Sequence, residues 1–397
     1  MSIALDLINL VFVLLILLFC FIYLRLDPLK GLIILVHLIV IFFLNGVLFP
    51  ASYFSDQFNY LDTTQLIRES FPVSAIKYHF IHRTAHYVAG TIFALFPLPF
   101  ISSIYSLAMI NFLLYLFLFA YLKKKRVSSN SVDFFFLLYP SFLLYSSLAL
   151  RETLITLFMF FSLYFLLVEE KRNTAFIFSL PLVFMKIQNF LILILAYFIY
   201  IFLRKGSVRR YLIFIGAGLL VVFFGHYFPQ VNFLFEKIDY YRFYLIAENF
   251  GYDWSFMANY DYQPFTNGFP MIPLVLKSFL YMLLKPFPWE VTNPVQLIQS
   301  IENIFIVALI VWVVRIKVHS LIIKQKLIFL NVLLVLSMTI YGLVTFNFGA
   351  AARFRCPFIV VYLVFYLYLL RTDNIISRQV YGVYSSLSLK TQQFRSS

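Results

Sequence analysis

Charge is what this sequence has least of. Among 397 residues there are 17 acidic and 31 basic side chains, so 12% are charged, against about 25% in an ordinary soluble domain. Cysteine is confined to Cys20 and Cys356, inside or beside apolar runs, which excludes a disulfide framework and a cysteine metal cluster. Twelve glycines are too few for a bundle packed through small-residue stripes. The sequence contains no internal repeat, zinc-ligand spacing, glycine-rich phosphate loop or GxSxG elbow. What remains is 62% hydrophobic and 21% aromatic, with a mean hydropathy of +0.90. That composition implies an all-α, polytopic membrane protein.

A span needs roughly 20 apolar residues, fewer where neighbours shelter it. Eleven spans are expected, at 3–24, 31–49, 101–122, 132–149, 153–168, 174–185, 189–203, 211–227, 301–316, 327–345 and 356–371. Residues 87–100 and 271–284 are shorter, bounded by proline, and read as re-entrant or interfacial. The formal charge of +14 then divides by side. Twenty of the 31 basic residues, from Arg25 and Lys30 through Lys123, Lys124, Lys125 and Arg126 to the tail, fall in short segments on one face, which the positive-inside rule makes cytoplasmic. The N-terminus is therefore expected outside and the C-terminus inside, with 1–371 as one membrane domain and 372–397 as a disordered tail. The first apolar run lacks the basic start and cleavage site of a signal peptide and is read as a span. Long outer segments are expected at about 50–100 and 228–300.

Ionisable residues at membrane depth are costly and are functional candidates by default. They gather in the outer segments. YFSDQFNYLDTTQLIRES carries Asp56, Tyr60 and Asp62. The following KYHFIHRTAHY places His79, His82, Arg83 and His86 on one helical face. That stripe suits a phosphate, or it is the wet side of an interfacial helix; a zinc site is a third option. Arg151 and Glu152 form the apex of a hairpin, pointing about 100° apart, so each is expected to seek a partner elsewhere. Lys186 occupies the same place in the next hairpin. The run from 228 to 268 interleaves Tyr241, Trp254 and other rings with Arg242 and several acids, a composition suited to sugars, whose C–H faces stack on rings. Trp289 and Glu290 follow in PFPWE, and Arg353 and Arg355 in FNFGAAARFRCP. Two arginines two apart, on an extended or turned backbone, can grip a diphosphate.

The Asp56–Tyr60 stretch, the YPSFLLYSS hairpin ending in Arg151–Glu152, the PFPWE element and the FNFGAAARFRCP ending resemble bacterial membrane glycosyltransferases of the GT-C superfamily. They are similar also to Wzy-type O-antigen and capsule repeat-unit polymerases. The resemblance covers about 45–371 and implies a GT-C-like fold acting outside the inner membrane. It implies Asp56 as the catalytic carboxylate, with Asp62 second, and Arg353, Arg355 and Pro357 on the lipid phosphate. The chain departs from the GT-C pattern in placing two spans before the first outer loop. It also lacks an adjacent Asp-Asp or Glu-X-Asp pair, so no metal or other cofactor is indicated.

These readings together assign Asp56 or Glu152 as general base, and Arg353, Arg355, Arg151, Lys186 and Arg83 as a phosphate clamp. Tyr60, Asp62, Tyr241, Arg242, Trp254, Trp289 and Glu290 are assigned to the glycan. The expected partners are a lipid-linked oligosaccharide on undecaprenyl phosphate or diphosphate, membrane lipids and a chain-length regulator, with no nucleic acid. A transferase moving one sugar from polyprenyl phosphate is the nearest alternative. A flippase of lipid-linked sugars is another, though it predicts repeats and midplane charges.

Overall fold

The computed structural model describes residues 2–70, 73, 77, 85–203, 208–250, 270–345 and 348–395, which form seventeen α-helices and no strand. The first group is α1 (Ser2–Leu24), α2 (Pro28–Leu44), α3 (Asp56–Ser70), α4 (Ala85–Leu95) and α5 (Ile104–Lys124). Short helices follow: α6 (Asn130–Leu138), α7 (Pro140–Ser146), α8 (Glu152–Leu167), α9 (Arg172–Ser179), α10 (Pro181–Met185), α11 (Ile187–Leu203) and α12 (Val208–Phe224). The last group is α13 (Pro229–Phe250), α14 (Met271–Leu284), α15 (Pro294–Arg315), α16 (Leu321–Val344) and α17 (Phe348–Arg395).

Among the described residues, five helices are long and apolar enough to cross a membrane: α1, α5, α15, α16 and the first 30 residues of α17. The other six expected spans fall on helices of at most 17 residues, about 26 Å against a hydrocarbon core of about 30 Å. Two of them are also broken by proline. The run 132–149 stops at Tyr139 and restarts at Pro140, and 174–185 restarts at Pro181. Proline cannot donate to the preceding turn but is well suited to open a new one.

The core lies around α5, α8 and the middle of α17, where Phe358 through Leu370 are almost wholly buried. By contrast α1 exposes Leu7, Val11, Leu15, Leu18 and Ile22 along one side, the surface expected where lipid replaces protein.

Helix ends collect at two opposite faces of the bundle. At one, Lys30 (α2) and Lys123 (α5) both pair with the buried Asp133 of α6, at 2.6 and 2.5 Å. Lys326 there donates to the Leu167 carbonyl and to Glu170. Arg371 donates to the Ser128 carbonyl, and Asp373 accepts from the backbone N–H groups of His319 and Ser320. The helix thus does not stop at 371. It continues as α17 through the segment expected to be a disordered tail, because the buried Asp373 is bound into the start of α16.

The α14–α16 crossing depends on Gly342. A Cβ there would sit 2.1 Å from the Ser278 carbonyl oxygen, whereas one at Gly216 would meet nothing within 4 Å. Gly342→Ala is therefore expected to lower stability by about 1–3 kcal/mol, the usual cost of overpacking. Gly216→Ala is expected to leave it unchanged or slightly raised. Thermal unfolding of the detergent-purified variants measures both.

Candidate functional site

At the face opposite the lysines, the chain leaves α7 and makes a short loop before α8. Asn111 of α5 causes the break by donating to the carbonyls of both Leu148 and Leu150 at 2.6 Å, which removes them from helical bonding. The Gln57 side-chain oxygen accepts from the Ala149 N–H at 3.0 Å, and Gln57 exchanges two further bonds with Asn45. His37 meets Ser146 at 3.2 Å. Polar side chains from α2, α3 and α5 thereby fix the loop that ends in Arg151.

Glu152 is the first residue of α8 and Asp56 the first of α3, so each carboxylate sits at the positive end of a helix dipole. Arg353, in the second turn of α17, joins them. Its Nε donates to Glu152 Oε1 and its Nη1 donates to Asp56 Oδ2 at 2.8 Å. The start of α17 is held in turn by Tyr145, which donates to the Gly349 carbonyl, and by Gln299, which donates to that of Phe348. Arg151 and Glu152 do not pair with each other; as their angular separation requires, Glu152 finds its partner on another helix.

Further groups surround this bridge. Arg151 and Lys186 lie in the electrostatic field of Glu152. The Lys186 ammonium is buried over the Phe354 ring, 3.3 Å from its centre, and 5.2 Å from that of Tyr341. Tyr341 donates to Asn189, which itself contacts the Met159 sulfur. Tyr60 is fully buried and stacks obliquely on His86 at 4.8 Å. Three buried polar atoms in this group, Glu152 Oε2, Arg151 Nε and Tyr60 Oη, have no hydrogen-bond partner. Buried polar groups are nearly always satisfied, so such a concentration marks a place built for something polar.

The electrostatics outside the spans follow from these neighbours. Burial pushes the Asp56 carboxyl up, but the hydrogen bond and charge of Arg353, with His86 and Arg151, outweigh it and hold Asp56 below its ordinary value. The His86 imidazole is held low by burial and by Arg151, so it is neutral at pH 7. Burial raises the Tyr60 phenol, which keeps its proton.

Other expected site residues are not part of the cluster. The expected paired clamp required Arg353 and Arg355 on an extended or turned backbone, but both lie in α17, where residues two apart point about 200° away from each other. Arg355 is buried on the far side and donates to the carbonyls of Met282, Leu283 and Lys285, closing the end of α14. Asp62, two residues beyond Tyr60 on α3, faces outward for the same reason. Tyr241 is exposed and Arg242 buried on α13, which packs on α14 and α16 through Phe235. Trp289 stacks on Phe287 at 4.8 Å, and Glu290 pairs with Lys285 at 3.0 Å. Arg83, Trp254, His79 and His82 lie outside the described residues. Among the described residues no group of three or more His, Cys, Asp or Glu is placed to hold a metal.

Of the residues that position the site, Asn189 stands beside Lys186 in MKIQN, whereas Asn45, Gln57 and Asn111 are not among those singled out from the sequence. Their signal was present, however: an uncharged amide in an otherwise apolar run, as in SLAMINFLLYL, has to find a buried partner.

Removing one partner of a buried ion pair strands the other. Arg353→Ala is expected to cost about 3–5 kcal/mol by leaving Glu152 buried and unpaired, and Asp56→Asn much less, because Asp56 is 39% exposed. Chemical denaturation of the purified variants ranks them. For His86, a lowered native value makes the neutral form part of the folded state. The stability it contributes is present above about pH 6.5 and lost as pH falls below that toward the native value. The melting temperature is expected to fall between pH 7.5 and 5.5, and by less in His86→Gln.

Comparison of this chain with protein-family models, with curated proteins and with solved structures gives no match.

Proposed function

We propose that this chain is a multispan membrane glycosyltransferase that takes a glycan from a polyprenyl phosphate or diphosphate and adds it to a sugar hydroxyl. The more specific reading is a repeat-unit polymerase of the GT-C and Wzy kind, with eleven membrane-crossing segments, the N-terminus outside and the C-terminus in the cytoplasm. The observation that carries the reading is the cluster of two carboxylates and two arginines at the starts of α3, α8 and α17, with Lys186 beside it at the end of α10 and with Glu152 Oε2, Arg151 Nε and Tyr60 Oη unsatisfied inside it. The cluster lies opposite the lysine-rich face, which the positive-inside rule assigns to the cytoplasm.

The chemistry follows from what such a reaction needs. The bond from the anomeric carbon to the phosphate oxygen breaks, and the phosphate leaves with the electron pair and an added negative charge. Arg151 and Arg353 supply fixed positive charge where that charge grows, and fixed charge is most effective where water is excluded. Lys186 lies beside them as a buried amine whose burial holds it well below the ordinary lysine value. The acceptor hydroxyl forms the new bond and gives its proton to a carboxylate. Asp56 suits this role better than Glu152, because Asp56 is partly exposed while Glu152 is buried against Arg353. In this arrangement Glu152 orients Arg353.

Arg151→Ala loses no Nε hydrogen bond, only the charge that helps keep Glu152 and Asp56 ionised. It is expected to lower turnover of lipid-linked repeat units by about 10²-fold, the usual effect of removing one such donor, with a melting temperature lowered much less than in Arg353→Ala. The product ladder from purified protein is the readout. A full ladder from Arg151→Ala overturns the assignment of Arg151. Single additions by the unaltered protein overturn polymerisation and favour transfer of one sugar.

A further inference from the structure

A groove of about 610 Å³ runs along the outside of the bundle between α15 and the broken pair α6–α7, and none of its lining residues belongs to the charged cluster. Its walls are apolar, with Phe135 and Leu138 on one side and Ile298, Ile301, Phe305 and Leu309 on the other. Glu302 lies in its wall one turn short of Ile298, and its carboxylate accepts from the N–H and hydroxyl of Ser141 and so is engaged in holding α7. Its other end runs into a second cavity of about 500 Å³, and the two share Ser131, Trp312 and Leu367. This second cavity differs in chemistry. Arg371, Asn374 and Ser129 line it, at the lysine-rich face.

From Ile298 to Trp312 is fourteen residues of α15, about 21 Å at 1.5 Å per residue. Half of a hydrocarbon core of about 30 Å is shorter than that. The apolar groove thus covers the leaflet nearer the lysines, reaches past the midplane, and opens at headgroup level into a cavity carrying a cation, an amide, two hydroxyls and an indole. The Arg371 guanidinium is exposed and oriented there by the bond from its Nη1 to the Ser128 carbonyl. A guanidinium has five N–H donors in a fixed fork suited to phosphate, and that bond uses one.

We propose that this groove holds one anionic phospholipid of the leaflet at the lysine-rich face. One acyl chain lies between α6–α7 and α15, and the headgroup phosphate lies on Arg371 with Ser129, Ser131 and Asn374. The site is independent of the charged cluster and of the reaction assigned to it.

The test uses the full-length protein, purified in detergent, given equal amounts of phosphatidylglycerol and phosphatidylethanolamine, and examined by native mass spectrometry. The unaltered protein is expected to retain one phosphatidylglycerol in preference. Arg371→Ala reduces that preference about tenfold, the worth of one charge-assisted hydrogen bond, and Arg371→Lys keeps most of it. Leu138→Trp fills the groove from an exposed position and is expected to abolish retention of both lipids. Asn374→Leu serves as the second headgroup variant if Arg371→Ala does not give monodisperse protein. Equal retention of the two lipids by the unaltered protein, or full preference in Arg371→Ala, overturns the proposal. So does undecaprenyl phosphate, added as competitor, if it displaces the phospholipid and is itself lost in Arg371→Ala.

Discussion

In hydrocarbon a helix end has no water to satisfy its free N–H and C=O groups, and each one left bare costs several kilocalories per mole. This bundle contains many short helices, and its architecture depends on side chains that reach across to their ends. Glu302 closes the start of α7, and Asp373 the start of α16. Arg355 closes the end of α14, and Arg68 donates to the carbonyls of Ala94, Phe96 and Leu98 beyond α4. Asn111 takes up the carbonyls of the loop before α8. Each is a polar residue on one element serving the backbone of another, so the elements cannot be moved independently.

The charged cluster is a special case of the same constraint. Its loops are fixed by amide contacts from α3 and α5 before any charge is considered, and the ions are added at helix starts, where the dipoles favour carboxylates. Arg353, from the C-terminal part of the chain, can then bridge two carboxylates from its N-terminal half. Three of the buried polar atoms left without a hydrogen-bond partner, Glu152 Oε2, Arg151 Nε and Tyr60 Oη, fall together in this cluster.

The sequence made the alternation of basic and acidic ends legible, because the positive-inside bias survives without any knowledge of packing. It also identified Asp56, Arg151, Glu152, Lys186 and Arg353, since a charge in so apolar a chain stands out. It misled where local conformation decided direction. Arg353 and Arg355 look like a pair in a string of letters and diverge on a helix, and Tyr60 and Asp62 repeat the lesson. The breaks at Pro140 and Pro181 were hidden because the apolar run continues through them. The continuation of α17 past 371 was hidden because the partners of Asp373 lie more than fifty residues away.

Arg353 reaches Asp56 across 297 positions of sequence and Glu152 across 201. A chain emerging from the ribosome therefore inserts α3 and α8 long before the cation that neutralises them exists. Until α17 arrives, Glu152 has Arg151 and Lys186 near it but lacks its direct hydrogen-bonded partner. The bridge thus joins early and late parts of the chain: the bonds of Glu152 and Asp56 to a guanidinium are complete only when the last helix is in place.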